Sequence, residues 1–165
     1  MAADSRRLRS ILSSFGLAAL GAAVLIHGLP LRGASAATGG GREVIAAPDA
    51  PKAVGPYSQG VKAGNLVFVA GQLPLDPKTS QLVQGGIEEQ TRRVMDNIKA
   101  ILAADGLSLK NVVMSNCYLK NRDDFAKFNA TYATYFPEAP PARATVEISR
   151  LAKDAIVEVA VIAVR

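Results

Sequence analysis

The segment Ala155–Val164 is apolar on both faces of a predicted β-strand, and it constrains the fold more than any other feature. A strand of this kind belongs inside a sheet whose two faces are both covered. Its predicted faces are Ile156, Glu158, Ala160 and Ile162 on one side and Val157, Val159, Val161 and Val164 on the other. Because a lone charged carboxylate is costly to bury, we expect Glu158 either to form an inter-strand salt bridge or to have a raised pKa.

Hydrophobic periodicity and turn residues predict seven more elements. Apolar residues recur at spacings of three and four from Ile87 to Leu102, which predicts an amphipathic helix with Gly106 at its C-terminal cap. A second helix is predicted from Arg122 onward, and its aromatic stripe is typical of a core. The other predicted strands are Arg42–Ala47, Ser58–Lys62, Leu66–Ala70, Leu109–Lys120 and Arg143–Ile148.

The order of these elements predicts the fold class. Three strands, a helix, a strand, a second helix and two final strands indicate an α+β fold, a mixed β-sheet with two helices packed on one face. Gly64-Asn65 lies between two of the strands and predicts a tight hairpin. Two helices cover only one face of the sheet, so oligomerisation is a reasonable way to bury the other.

Residues 1–36 have the pattern of a secretory signal peptide. Arg6, Arg7 and Arg9 precede an apolar run from Ile11 to Ile26, and Ala34-Ser35-Ala36 has the small-x-small form of a cleavage site. This predicts export, in the first place to a bacterial periplasm. An uncleaved membrane anchor and an organellar transit peptide are the alternatives. Residues 37–46 then form a flexible linker that can include an edge strand, and residues 47–165 form one domain.

Composition narrows the chemistry of the mature chain. The leader carries four arginines and one aspartate of a chain with net charge +5, so fifteen basic and thirteen acidic residues leave a net charge of +2 beyond it. This balance gives no reason to expect nucleic-acid binding. The single histidine lies in the leader, which excludes histidine catalysis and the common zinc sites from the mature chain. Cys117, the only cysteine, is interpreted as a buried strand residue.

The stretch Pro140-Pro141-Ala142-Arg143 places an arginine at the start of a predicted strand. Two prolines stiffen the approach to this residue. A rigidly held guanidinium is a good receptor for a planar carboxylate, because its N–H donors match two oxygens at once. The alternative is a solvated surface arginine that serves solubility.

Five motifs in order resemble the YjgF/RidA family of enamine/imine deaminases, whose members also carry the name endoribonuclease L-PSP. They run from about Ala47 to Val164, and no single one is specific. The motifs are Gly55-Pro56-Tyr57-Ser58-Gln59, Gly71-Gln72-Leu73-Pro74, Asn129-Ala130-Thr131-Tyr132, Pro141-Ala142-Arg143 and the closing segment Val157–Val164.

The resemblance implies a chorismate-mutase-like fold and a homotrimer whose sheets form a central barrel, with the active sites between subunits. It implies hydrolysis of reactive 2-imino or 2-enamino acids, such as 2-aminoacrylate, to 2-keto acids and ammonia. No cofactor, metal or nucleic acid is implied, and no membrane after leader cleavage. By motif, the catalytic residues are Glu158, Tyr57 and Thr145, and the substrate-binding residues are Arg143, Asn129 and Gly71.

Three features depart from the family pattern. Thr145 stands where members often have cysteine, Ala160 replaces a second glutamate of the last strand, and the predicted export signal is unlike the cytosolic members. A second hypothesis is therefore a non-catalytic module that binds 2-keto acids or regulates through them on the same scaffold. A third is the endoribonuclease activity sometimes attached to the family, which a nearly neutral chain without histidine does not favour.

Overall fold

The computed structural model describes residues 41–165, so the predicted signal peptide and the first residues of the linker lie outside the described residues. All predicted elements are present in the predicted order. The strands are β1 (Arg42–Ile45), β2 (Gly60–Ala63), β3 (Leu66–Gln72), β4 (Val112–Leu119), β5 (Ala142–Glu147) and β6 (Val157–Val164), and the helices are α1 (Ile87–Ala103) and α2 (Phe125–Ala133).

The six strands form one mixed sheet in the order β1-β2-β3-β6-β4-β5. Strands β4 and β5 run parallel, and every other neighbouring pair is antiparallel. The two-residue hairpin predicted at Gly64-Asn65 joins β2 to β3, and Gly64 has a φ of +61°. Such a turn requires the left-handed conformation that glycine adopts without strain. The predicted α+β class is confirmed.

Strand β6 lies inside the sheet, as its two apolar faces predict. Val157, Val159, Val161 and Ala163 are buried in the main core. The alternate residues form the opposite, helix-free face, which includes Glu158 and Val164. Val164 was predicted on the valine face and lies instead on the same face as Glu158, because strict alternation along the strand puts Ala163 on the core side.

Helix α1 buries one face from Ile87 to Leu102 against the sheet. At its start the Gly86 amide donates to Glu89 Oε2 at 3.0 Å. At its end Gly106 has a φ of +73°, its amide donates to the Ala103 carbonyl, and the Leu107 amide donates to the Leu102 carbonyl. This pair of bonds is a Schellman motif. The predicted cap at Gly106 is confirmed.

Both helices lie on one side of the sheet and leave the other side open. A row of apolar side chains crosses this helix-free face from Val44 through Val61 and Phe68 to Ile162, as paired positions of adjacent strands. Val44 is 59% exposed, Phe68 41% and Val146 47%. A row of apolar side chains with several exposed members is typical of an interaction surface. No helix among residues 41–165 combines the length and the apolar character needed to cross a membrane.

Candidate active site

Arg143 lies on the edge strand β5 and points to the helix side of the sheet. Its register partner on β4 is Ser115, a fully buried residue beneath α2. The guanidinium is exposed, yet Nη2 donates to Asn129 Oδ1 of α2 at 2.7 Å. Its central carbon lies 4.8 Å from the ring centre of Tyr132. Cation–π contact and a hydrogen bond thus orient the fork while leaving other N–H donors free for an anion.

Tyr132 holds this arrangement from below. Its hydroxyl donates to Ser115 Oγ at 2.8 Å in the core, and its ring lies 5.5 Å from that of Phe128. Burial raises the pKa of Tyr132 to about 12, so the phenol stays neutral beside the guanidinium. The aromatic stripe of α2 was interpreted as core, and Phe128 and Tyr132 are buried. Sequence reasoning missed the second role of Tyr132 as a support for Arg143.

A groove of about 450 Å³ begins at Arg143. It runs between α2 and the segment that leads into β5, and its walls are Asn129, Tyr132, Ala133, Phe136, Pro140 and Pro141. A larger groove of about 500 Å³ lies at the C-terminal end of α1 and shares only Phe136 with it. The larger groove holds none of the predicted site residues, so we place the candidate site at the smaller one, where an anion receptor is oriented.

Thr145 lies two residues after Arg143, on the same side of β5. Its Oγ1 is buried without a hydrogen-bond partner among the described residues. The Cys117 thiol lies beside it, and this contact lowers the thiol's pKa without the geometry of a full hydrogen bond. Burial outweighs that effect and raises the pKa of Cys117 to about 11. A thiol that stays protonated is a poor nucleophile, in agreement with the interpretation of Cys117 as a buried strand residue.

Glu158 lies on the other face of the sheet. It is half-buried, and burial raises the pKa of its carboxyl. None of the salt bridges among the described residues involves Glu158. Of the two outcomes expected for this carboxylate, the structure therefore agrees with the raised pKa and not with the inter-strand salt bridge. Gly71 of β3 packs against this carboxylate. A Cβ at Gly71 would lie 2.9 Å from Glu158 Cδ and would collide with the carboxylate oxygen.

Tyr57 belongs to the same half of the molecule as Gly71. Both line a small cavity of about 30 Å³. The Tyr57 hydroxyl accepts a hydrogen bond from the Val54 amide at 3.3 Å, and its ring is exposed. Gln59 fastens this region, because its Nε2 donates to the Ala47, Ala50 and Pro51 carbonyls and its Oε1 accepts from the Ala47 amide. Gln59 is the last residue of the motif that begins at Gly55, but the sequence alone does not predict these hydrogen bonds.

The six predicted site residues therefore form two groups. Arg143, Asn129 and Thr145 lie on the helix side of the sheet edge, and Glu158, Gly71 and Tyr57 lie around β3 and β6. Strand β4 separates the two groups within the sheet, and Arg143 and Glu158 point to opposite faces. One chain thus holds an anion receptor and a carboxylate with a raised pKa that cannot act on one small molecule together. Within residues 41–165, no three metal-ligating side chains converge.

The fold and these two groups define a small α+β protein with an oriented anion receptor at a sheet edge. A family model described as Endoribonuclease L-PSP matches residues 47–165. A RutC family protein of Pyrococcus horikoshii is 56% identical over 122 residues, which are 74% of this chain and 97% of that protein. A 2-iminobutanoate/2-iminopropanoate deaminase of Escherichia coli K12 is 44% identical over 126 residues, with coverage of 74% and 98%.

Solved structures agree with the sequence matches. The crystal structure of the YjgF gene product from Escherichia coli has a TM-score of 0.72 with 42% identity, and covers 74% of this chain and 98% of that one. The chain belongs to the endoribonuclease L-PSP family, the family of the YjgF and RutC proteins.

Proposed function

We propose that this protein hydrolyses reactive 2-imino and 2-enamino acids to 2-keto acids and ammonia without a cofactor. The observation that carries the proposal is the Arg143 guanidinium, oriented by Asn129 and Tyr132 and open toward a groove. A 2-imino acid offers a planar carboxylate beside an electrophilic carbon, which is the shape such a fork receives. The 44% identity to a deaminase with that class of substrate supports the same activity.

Glu158 supplies the proton transfers. Water adds through its oxygen to the imine carbon while the Glu158 carboxylate takes one of its protons and passes that proton to the imine nitrogen, which gives a carbinolamine. The Glu158 carboxylate then takes the hydroxyl proton and delivers it to the amino nitrogen, so that the carbon–nitrogen bond breaks, ammonia leaves and the keto group forms. A raised carboxyl pKa suits both steps, because the acid and base forms are then both accessible nearer neutral pH.

The active site is proposed to form between copies of the chain. Arg143 and Glu158 point to opposite faces of the sheet, so a substrate that touches both needs Arg143 from one chain and Glu158 from another. The open apolar face with Val44, Phe68 and Val146 gives a second copy a surface to cover. A closed trimer, which the family resemblance implies, satisfies both requirements by repeating one heterologous contact.

Keto-acid release from imines tests the activity. An amino-acid oxidase generates the imine of alanine in situ, and a coupled dehydrogenase measures the 2-keto acid. We expect release well above the uncatalysed rate, and a loss in kcat/KM of about a hundredfold or more for Arg143→Ala, because a charge-assisted bidentate contact is removed. Arg150→Ala, an exposed arginine in the connection after β5, is the control. Release no faster than the blank, or equal in Arg143→Ala, contradicts the proposal.

RNA cleavage is the second candidate, because the family model carries the name of an endoribonuclease. The described residues support RNA cleavage less well than imine hydrolysis. They contain no histidine, and the chain beyond the predicted leader has a net charge of only +2. RNA cleavage that persists through repeated purification and disappears in Arg143→Ala would favour this function over imine hydrolysis.

The compartment remains a proposal from the sequence of residues 1–36. We propose that this leader is removed on export. The mass and N-terminal sequence of the protein recovered from a bacterial periplasm test this, and an N-terminus near residue 37 is expected. An intact leader in the recovered protein contradicts it.

A further inference from the structure

The groove at Arg143 continues well beyond the guanidinium. Its farther walls are the side chains of Ala133, Phe136, Pro140 and Pro141, which are all apolar. Its volume of about 450 Å³ far exceeds what a carboxylate and one methyl group occupy. A bound 2-imino acid whose carboxylate sits on Arg143 therefore has apolar surface available along α2.

Two polar atoms that line the groove are already engaged within the chain. Asn129 Oδ1 accepts from Arg143, and the Tyr132 hydroxyl donates to Ser115 in the core. A polar substrate side chain in this groove would lose water and gain few partners in return, which disfavours it. An apolar side chain would lose nothing and would gain the burial of its surface.

The walls are also rigid before any ligand arrives. Phe136 is buried and packs on Tyr132 with ring centres 4.9 Å apart. Pro140 and Pro141 have fixed φ angles, which limits how far the opposite wall can move. A preformed apolar groove binds a complementary side chain without a cost of ordering its own residues.

We infer that this groove is the side-chain subsite of the substrate, and that the protein prefers 2-imino acids with branched or long apolar side chains over those with a methyl or hydroxymethyl group. The inference rests on the proposed function, since it uses Arg143 as the carboxylate anchor. Ala133, the last residue of α2, sets the width of the groove, because it lines the groove with only a methyl group.

Kinetics with a series of imines test the preference. The imines of alanine, serine and leucine are generated in situ, and kcat/KM is measured for wild type, Ala133→Phe and Ala130→Phe. Wild type is expected to favour the leucine-derived imine over the other two by about tenfold. Ala133→Phe should lose that advantage, so its kcat/KM for the leucine-derived imine should fall about tenfold further than its kcat/KM for the alanine-derived imine. Ala130 is exposed on the same helix outside the groove walls, so Ala130→Phe should match wild type.

Binding of products tests the subsite without turnover. Calorimetry with pyruvate, 3-hydroxypyruvate and 4-methyl-2-oxopentanoate on wild type should give the tightest binding for the last, by about tenfold, and Ala133→Phe should equalise them. Equal affinities in wild type, or an equal loss for all three in Ala133→Phe, overturn the subsite. Turnover that depends on Arg143 but not on the side chain overturns the subsite and leaves the proposed function standing. Binding selectivity without any turnover overturns the proposed function and leaves the subsite standing.

Discussion

The two halves of the candidate site differ in how much of their environment one chain provides. The Arg143 half is finished within the chain: Asn129 accepts its N–H, Tyr132 lies beneath it, and a preformed groove leads away. The Glu158 half is open, because the carboxylate is half-buried on a helix-free face and forms no salt bridge with any of the described residues. Helices that pack on one face can complete a receptor on that face only.

Arg143 and Glu158 are accommodated by the fold in different ways. An arginine is supported by aromatic rings and an amide because its charge stays near water while its flat face is covered. A carboxylate on a sheet face without a charged partner in its own chain instead has a raised pKa. The half that lacks partners is the half at which a second copy is expected, so experiments that separate the two halves are the most informative.

Mixing two inactive variants gives the largest expected effect. Arg143→Ala and Glu158→Gln should each lower kcat of imine hydrolysis by about a hundredfold or more. Unfolding them together and refolding should restore about a quarter of wild-type activity if each site combines halves of two chains. Refolded mixtures of each variant with itself are the controls. No recovery, with normal recovery of wild type treated alike, contradicts a shared site.

Gly71→Ala should disturb the open half alone. The added Cβ would meet the Glu158 carboxylate, the end of a side chain that can swing aside. We therefore expect a drop in kcat of about tenfold with a change in unfolding free energy of less than about 1 kcal/mol. Gly41→Ala, where an added Cβ has no neighbour within 4 Å, is the control. A large loss of stability with unchanged kcat would show that Gly71 serves the fold rather than Glu158.

Two substitutions of Tyr132 distinguish the contribution of its ring to the orientation of Arg143 from the contribution of its hydroxyl to stability. Tyr132→Phe removes the hydrogen bond to Ser115 and should lower the unfolding free energy by about 1 to 3 kcal/mol, since one buried hydroxyl loses its donor. The ring remains under Arg143, so KM should change by less than about threefold. Tyr132→Leu removes the ring too and should raise KM further. Equal KM values for the two variants would argue against a role of the ring in orienting Arg143.

The pH dependence of stability gives the smallest effect. The folded state raises the pKa of Glu158, so it holds the proton more tightly than the unfolded chain, whose glutamates titrate near about 4.3. Stability must then fall as the pH rises from that value through the raised folded pKa. Urea midpoints should decline over this range in wild type relative to Glu158→Gln when both are measured at a protein concentration too low for association. An opposite slope that appears only at higher concentration would indicate the Arg143 guanidinium of a second copy beside Glu158, whereas an opposite slope at the low concentration contradicts the raised pKa.

Most of the fold follows from local patterns in the chain. The 3.6-residue period of α1, the Gly64-Asn65 hairpin and the double-sided apolar character of β6 all correspond to elements of the structure. The boundaries of β2 and β4 were less accurate, since β2 begins at Gly60 rather than Ser58 and β4 begins at Val112 rather than Leu109. Val164 was placed on the wrong face. An apolar residue suits either side of a buried strand, so only the strict alternation of side chains along β6 determines which face Val164 occupies.

The candidate site was only partly predictable. The residue types of Arg143 and Glu158 and their motifs drew attention to them, and the raised pKa of Glu158 was one of two outcomes expected of a carboxylate on an apolar strand. The supporting roles of Tyr132, Ser115 and Gln59 were not visible, because each depends on a contact between residues distant in sequence. The same is true of the groove lined by Ala133.

By itself the sequence determined the order and type of the elements, because helix and strand periods are local properties of the chain. It also determined which side chains could carry chemistry, since histidine is absent after residue 27 and Arg143 and Glu158 stand out. Only the tertiary structure decided that these two residues point to opposite faces of one sheet. Strand order and register are set by packing across the whole domain, and a single strand carries no record of its neighbours.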